Sequence, residues 1–385
     1  WCWGLLALTW AVPAAGSAIK SDGPGPRERA MGGAFVAMDD GAFAGYHNPS
    51  SMVYLAEGTA EVASAFASVD ATYTTPGGAS AEAKNHVVAI PSAAGGVPIS
   101  DRSAAGFIIH SPFGLQLDWP EGAPYRYTST FSRLQMLSGG PVYAHRFDSG
   151  GAVGASLLWN SGSVDLKRAV PSAVFGGPPG GPDAAFDATG TDGALSANLG
   201  ALWPVNDTFS IGVTYRSPVN LDLEGDAELR LPAGGSIEDD WSMGFDLPQN
   251  VALGASWKPA PDWVLNAQMD WIDWSVVDEH RLTFEQDKLE DMHIPRGWND
   301  TLQYRIGAEW NLTKTWALRM GYSYSPSPVP AETLDPTILD SDRHVLAAGV
   351  GYRVNDWQLN ATYEHTFTES RTVDSSFHRQ PTVGL

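Results

Sequence analysis

The chain has 385 residues, and its 23 Lys and Arg against 44 Asp and Glu give a formal net charge of −21. That balance excludes nucleic-acid binding as a starting expectation, because phosphate neutralisation needs a basic face. The 14 Phe, 15 Trp and 12 Tyr exclude disorder, and the absence of a run of about 18 apolar residues excludes a helical membrane protein, which leaves a soluble enzyme or a membrane β-barrel.

The first element is an apolar run from Gly4 to Val12, broken by Pro13 and followed by the small residues Gly16 and Ala18. Small residues at that spacing suit a secretory cleavage site. Residues 1–18 are expected to be a signal peptide, incomplete at its N-terminus, and the protein to be exported. Cys2, the only cysteine, would leave with it. No disulfide, metal site or cofactor is expected in what remains.

Residues 19–56 show no period of two and contain six glycines and the turn Asn48-Pro49, which cannot continue a helix. Their apolar residues, among them Met31, Phe35, Phe43 and Met52, point to burial. A periplasmic arm is the alternative.

From residue 57 onward the period is two. In Trp263–Trp271 the odd positions are Trp, Leu, Ala, Met and Trp, with Asn266, Gln268 and Asp270 between. Leu302–Leu312, Trp316–Tyr324 and Trp357–Phe367 repeat the pattern. A soluble sandwich also alternates. Two details favour a barrel with its apolar face outward. Trp203, Trp257, Trp263, Trp310 and Trp316 stand at strand ends, as interfacial girdles do. The opposite faces carry Arg216, Arg305, Glu309, Arg319 and Glu364, which suit a wet lumen. Short turns near 147–151, 204–207, 259–262, 312–315 and 354–356 alternate with longer links near 116–127, 171–184, 231–242, 286–297 and 326–342. Thirteen strands are readable, an odd number for a bacterial barrel, so a fourteenth beginning near Thr382 is expected to be cut short.

Catalysis has no constellation to carry it. His280, His293, His344 and His365 are unaccompanied by a Gly-x-Ser-x-Gly elbow or paired acids, and no enzyme is expected.

The motifs, taken in order, carry a resemblance. They run from Arg29-Ala30-Met31-Gly32-Gly33-Ala34-Phe35, Asp39-Asp40 and Asn48-Pro49 through Ser111-Pro112-Phe113-Gly114 and Gly212-Val213-Thr214-Tyr215 to Asp340-Ser341-Asp342-Arg343. In these the sequence resembles the FadL-type outer-membrane transport proteins for long-chain fatty acids and other hydrophobic compounds. The resemblance implies an all-β fold, a transmembrane antiparallel β-barrel of fourteen strands over residues 57–385, with residues 19–56 as a hatch in the lumen. Gly33, Asp39, Asp40, Asn48 and Pro49 would be hatch residues. It also implies a lateral gate at Ser111, Pro112, Phe113 and Gly114, through which ligand leaves sideways into the bilayer. Proline removes a ladder donor and glycine removes packing, so a break there has a physical cause; a strand that simply ends at Pro112 is the alternative.

The ligand expected from the resemblance is a long-chain fatty acid, with Arg168 and Arg296 as carboxylate contacts. Phe113, Leu115, Trp119 and Phe131 would contribute the apolar surface. Aromatic hydrocarbons, or a secretion or scaffold role without transport, are the other readings. Outer-membrane lipid and lipopolysaccharide are the expected surroundings, nucleic acid is not a partner, and a monomer in the outer membrane of a Gram-negative-type bacterium is expected. The net-acidic chain disfavours long-range attraction of an anion.

Overall fold

A computed structural model describes residues 7–11, 19–75, 77–84, 86–286 and 288–371. Extended chain sends successive side chains to opposite faces, and the segments with period two are the strands. β1 (Ala7–Ala11) precedes α1 (Pro26–Ala30), α2 (Ala44–His47) and the 3₁₀ turn Pro49–Tyr54. β2 (Thr59–Ala67) is followed by a separate small hairpin, β3 (Thr72–Thr74) and β4 (Ser80–Glu82), then by β5 (Val88–Ser100), β6 (Ser103–His110) and β7 (Gly114–Asp118). Three long strands come next, β8 (Phe131–Arg146), β9 (Ala152–Val170) and β10 (Ala184–Asn206). After them come β11 (Phe209–Arg216) with β12 (Val219–Arg230), and β13 (Ser236–Leu247) with β14 (Asn250–Ala260). The remainder are β15 (Trp263–Ile272), β16 (Glu279–Phe284), β17 (Met292–Pro295), β18 (Thr301–Trp310), β19 (Trp316–Ser325), β20 (Arg343–Val354) and β21 (Trp357–Thr368).

Apart from the β3–β4 hairpin, all strands belong to one sheet. The pairs β6 and β7, β11 and β12, β13 and β14, β15 and β16, and β17 and β18 each act as one passage across it. Thirteen passages therefore run from β2 to β21, each antiparallel to the next. This agrees with the count from the alternation. Because the count is odd, β2 and β21 run in the same direction. β1 lies between them, parallel to both. The cleavage site expected at Gly16–Ala18 and the strand expected near Thr382 lie outside the described residues.

The two faces of the sheet differ sharply. On β9, Val153, Leu157 and Trp159 are exposed, while Ser156, Leu158 and Asn160 between them are buried. The exposed set continues through Leu195, Leu199, Ile211, Val213, Leu253, Ile306, Leu318 and Met320. Phe147, Trp203, Trp257 and Trp316, near the short turns, are also exposed, and Trp263 stacks on Trp310 with ring centres 5.5 Å apart. An apolar face turned outward with aromatic residues at one border fits hydrocarbon surroundings.

The covered face has two tiers. Near the long connections it is apolar, with Phe186, Leu221, Leu223, Trp241, Phe245 and Phe284 packed in one cluster. Near the short turns it is charged and lies against residues 19–55. Here one expectation is corrected: Arg305, Glu309, Arg319 and Glu364 do not face a wet lumen. They are between 1% and 5% exposed and are paired with residues 19–55 or with one another. The 231–242 link is also corrected. Only 231–235 is a turn, because Asp239, Trp241 and Met243 alternate into the covered face and carry β13 along β12. Met292–Pro295, expected within a loop, pairs with β16.

Candidate functional site

The third passage breaks where the proline predicts. His110 at the end of β6 stands opposite Ser138, and Gly114 at the start of β7 stands opposite Gln135. Three residues, Ser111, Pro112 and Phe113, thus face two, Met136 and Leu137. An excess of one residue bends the strand and frees its backbone groups. Residues 19–21 take up what the bulge frees: Ser21 N donates to Pro112 O at 2.9 Å, Gly114 N donates to Ile19 O at 2.8 Å, and Lys20 bridges to Phe113. Phe113 turns to the covered side, edge-on to Trp274 with centres 6.3 Å apart.

Beyond the bulge the wall is incomplete. Residues 93–100 of β5 pair with β6, whereas residues 88–92 pair with β2 and with nothing on the side of β7 among the described residues. A chamber of about 440 Å³ lies at this opening. Phe113, Leu115, Leu117, Leu134, Met136 and Leu137 supply its apolar lining; Lys20, Lys84, His86 and Arg133 also line it. A smaller cavity of about 50 Å³ shares Leu115, Arg133 and Leu134 with the first and reaches Ile19, Phe245, His280 and Arg296.

Residues 19–55 are held by charge and by backbone. Arg27 donates to Glu309 through Nε at 2.8 Å and Nη2 at 3.0 Å, and to Asp40 at 2.8 Å. Arg319 meets the same Glu309 at 2.6 Å, and Arg29 is paired with Glu364. Arg305 joins Asp22 at 3.0 Å, Asp270 at 3.1 Å and Gly32 O at 2.9 Å. Gly33 has φ +73°, and a Cβ there would run into the Arg305 guanidinium. Asn48 caps the turn that Pro49 starts, accepting from Ser50 N at 3.1 Å and donating to Val36 O at 2.8 Å and Ala201 O at 3.0 Å. Asp39 faces Lys258 at 3.7 Å. Burial, reinforced by nearby Glu61, pushes the Glu28 carboxyl up to about 8. Burial and the neighbouring Arg216 hold His47 well below its usual range.

A family model described as outer membrane protein transport protein (OMPP1/FadL/TodX) matches residues 5–383. The chain belongs to this family. Over 325 residues, 75% of this chain and 72% of the relative, it is 25% identical to a long-chain fatty acid transport protein of Escherichia coli. Among solved structures, a FadL homologue of Pseudomonas aeruginosa superposes with a TM-score of 0.83 at 18% identity, covering 91% of each chain. The toluene transporter TbuX of Ralstonia pickettii gives 0.69 at 22% identity, over 87% of this chain and 90% of that one. The protein is therefore an outer-membrane protein with the FadL-type all-β fold.

Within this FadL-family chain, Phe113 and Leu115 reach the chamber and the other ligand candidates do not. Trp119 is buried in the connection between β7 and β8, where its indole N–H donates to Pro336 O at 2.9 Å and its ring meets Tyr125. Phe131 opens β8 opposite Asp118 and Lys167. The Arg168 guanidinium stands 5.4 Å from the Phe186 ring centre, its Nε lacks a partner among the described residues, and it lines neither cavity. Arg296 does line the smaller cavity, but it is paired with Asp335 at 2.8 Å and donates to His280 Nδ1 at 3.2 Å. Sequence reasoning missed Lys20, Lys84, Arg133 and His280. A single sequence holds no signal for them, because the two cavities are assembled from residues 19–21, the stretch before β5, and strands β5, β7, β8 and β16, which are distant in sequence.

Proposed function

We propose that this protein takes up hydrophobic compounds across the outer membrane, with long-chain fatty acids as the cargo, and releases them sideways through the opening beside β7. In this reading the sheet is a closed barrel and residues 19–56 are its hatch. Residues 1–18 leave as an export leader. The gap between β2 and β21, which run in the same direction, is filled by a strand antiparallel to both. Lipid and lipopolysaccharide surround a monomer whose outward face is apolar. Gly33, Asp39, Asp40, Asn48 and Pro49 seat the hatch, and Ser111 to Gly114 form the lateral gate. Arg168, without a carboxylate partner among the described residues, is an outer contact for cargo on its way in.

The observation that carries the proposal is the wall opening between residues 88–92 and β7 with a largely apolar chamber behind it. A water-filled porin has no use for an apolar space that meets lipid at the level of its own wall. A neutral aromatic cargo is the second reading, favoured by the Arg296–Asp335 pair, which leaves the smaller cavity without a spare charge.

Deleting Pro112 tests the exit. Two residues would then face Met136 and Leu137, restoring a one-to-one register and a donor to the ladder. Uptake of a fluorescent long-chain fatty acid by whole cells should be abolished at an unchanged level of heat-modifiable, folded protein. Wild-type uptake in that variant would overturn the lateral route.

A further inference from the structure

The chamber has a lining whose charge runs against that of the chain. The protein carries −21, yet Lys20, Lys84, His86 and Arg133 line this space and no aspartate or glutamate does among the described residues. Three of these four are already answered. Lys84 and His86 both hold Asp118, at 2.9 and 3.1 Å, and Arg133 holds Asp165 at 2.7 Å. Lys20 makes no ion pair and no side-chain hydrogen bond among the described residues. The charged groups that face it are Asp22 on its own segment, Asp270 on β15, Arg305 on β18 and Arg216 on β11. Both acids are committed to Arg305, at 3.0 and 3.1 Å, so the Lys20 ammonium keeps an uncompensated charge beside an apolar surface. Its position is fixed, because its backbone bridges to Phe113 and its neighbours bond Pro112 and Gly114.

We propose that Lys20 is the residue that selects anionic cargo, its ammonium receiving the carboxylate of a long-chain amphiphile whose tail lies along Phe113, Leu115, Leu134 and Met136. This rests on the uptake reading and deepens it. It moves the headgroup contact away from Arg296, which Asp335 already neutralises, to the segment that ties off the bulge. A cation beside apolar walls is what a carboxylate with an alkyl tail requires, and an uncharged hydrocarbon gains nothing from it.

The test uses the full chain purified in detergent, with oleate and oleyl alcohol as probes of equal length that differ in headgroup charge. Wild type should bind oleate more tightly than oleyl alcohol. Lys20→Gln should weaken oleate about tenfold or more and leave oleyl alcohol unchanged, since the positive charge that strengthens the hydrogen bond to the carboxylate is lost. Lys20→Arg should restore the preference. Burial lowers the Lys20 ammonium to about 8, so the wild-type preference should fade as pH rises through that value, whereas the Lys20→Arg preference persists. Equal losses for both probes in Lys20→Gln, or none for oleate, would overturn the assignment. Failure of wild type to bind either probe would instead overturn the uptake reading on which it rests.

Discussion

Replacing Glu309 by leucine should loosen residues 19–55 from the sheet without unfolding the sheet. Glu309 is 1% exposed and receives Arg27 and Arg319 together. With leucine there, Arg27 keeps only the half-exposed Asp40. Among the described residues Arg319 keeps only Asn360 Oδ1 at 2.8 Å, and its Nη2 already lacks a partner. Removing one member of a buried ion pair costs about 3–5 kcal/mol. That would lower the equilibrium constant for seating residues 19–55 by roughly 10² to 4 × 10³-fold. The ladder that pairs residue 309 with Val264 and Arg319 is made by backbone and survives the change. Arg27 and Arg29, at 6% and 5% exposure, are hidden from trypsin in wild type and should be cleaved in the variant in proteoliposomes, with a parallel rise in ion conductance across a planar bilayer. Replacing Arg27, Glu309 and Arg319 together by Met, Leu and Met should return both readouts most of the way, because no unpaired charge is left. Trypsin resistance equal to wild type in the single variant, or a triple variant as loose as the single one, would refute the reasoning.

Two other expectations concern the same docking. Gly321→Ala places a Cβ against the backbone of Met31 and Gly32, whereas Gly244→Ala meets open space, so the first should expose Arg27 and Arg29 to trypsin and the second should not. Glu28, pushed up to about 8 from an ordinary 4.5, holds a proton in the seated state that the released segment gives up. Its contribution is complete at acid pH and declines as pH rises from about 4.5 towards 8. Glu28→Gln should flatten that decline when trypsin sensitivity is followed against pH; the same slope in both proteins would contradict it.

The sheet was legible because its pattern is local: the alternation in Trp263–Trp271 or Leu302–Leu312 determines each strand without reference to any other. The bulge was legible for a related reason, since Pro112 lacks a donor wherever the strand lies. The buried charges were misread as wet because their partners are remote. Arg27 and Glu309 are 282 residues apart, and Arg29 and Glu364 are 335 apart. Arg296 was read as a free cation for the same reason, its Asp335 lying on a connection whose path no periodicity predicts. The 231–242 stretch was misjudged because Glu238, Asp239 and Asp240 mask a period of two that Ile237, Trp241 and Met243 still carry. Lys20 depends on pairing between a segment without periodicity and a broken strand, and neither is readable alone.

Those separations also dictate an order of assembly. Asp22, Arg27 and Arg29 are made 282 to 335 residues before their partners Arg305, Glu309 and Glu364. Closing loops of that length costs entropy that no nearby contact repays. Residues 22–29 therefore wait, their charges hydrated, for those passages to arrive. Pairing those passages and seating residues 22–29 become one event, and a wall that lacks them cannot hold the segment.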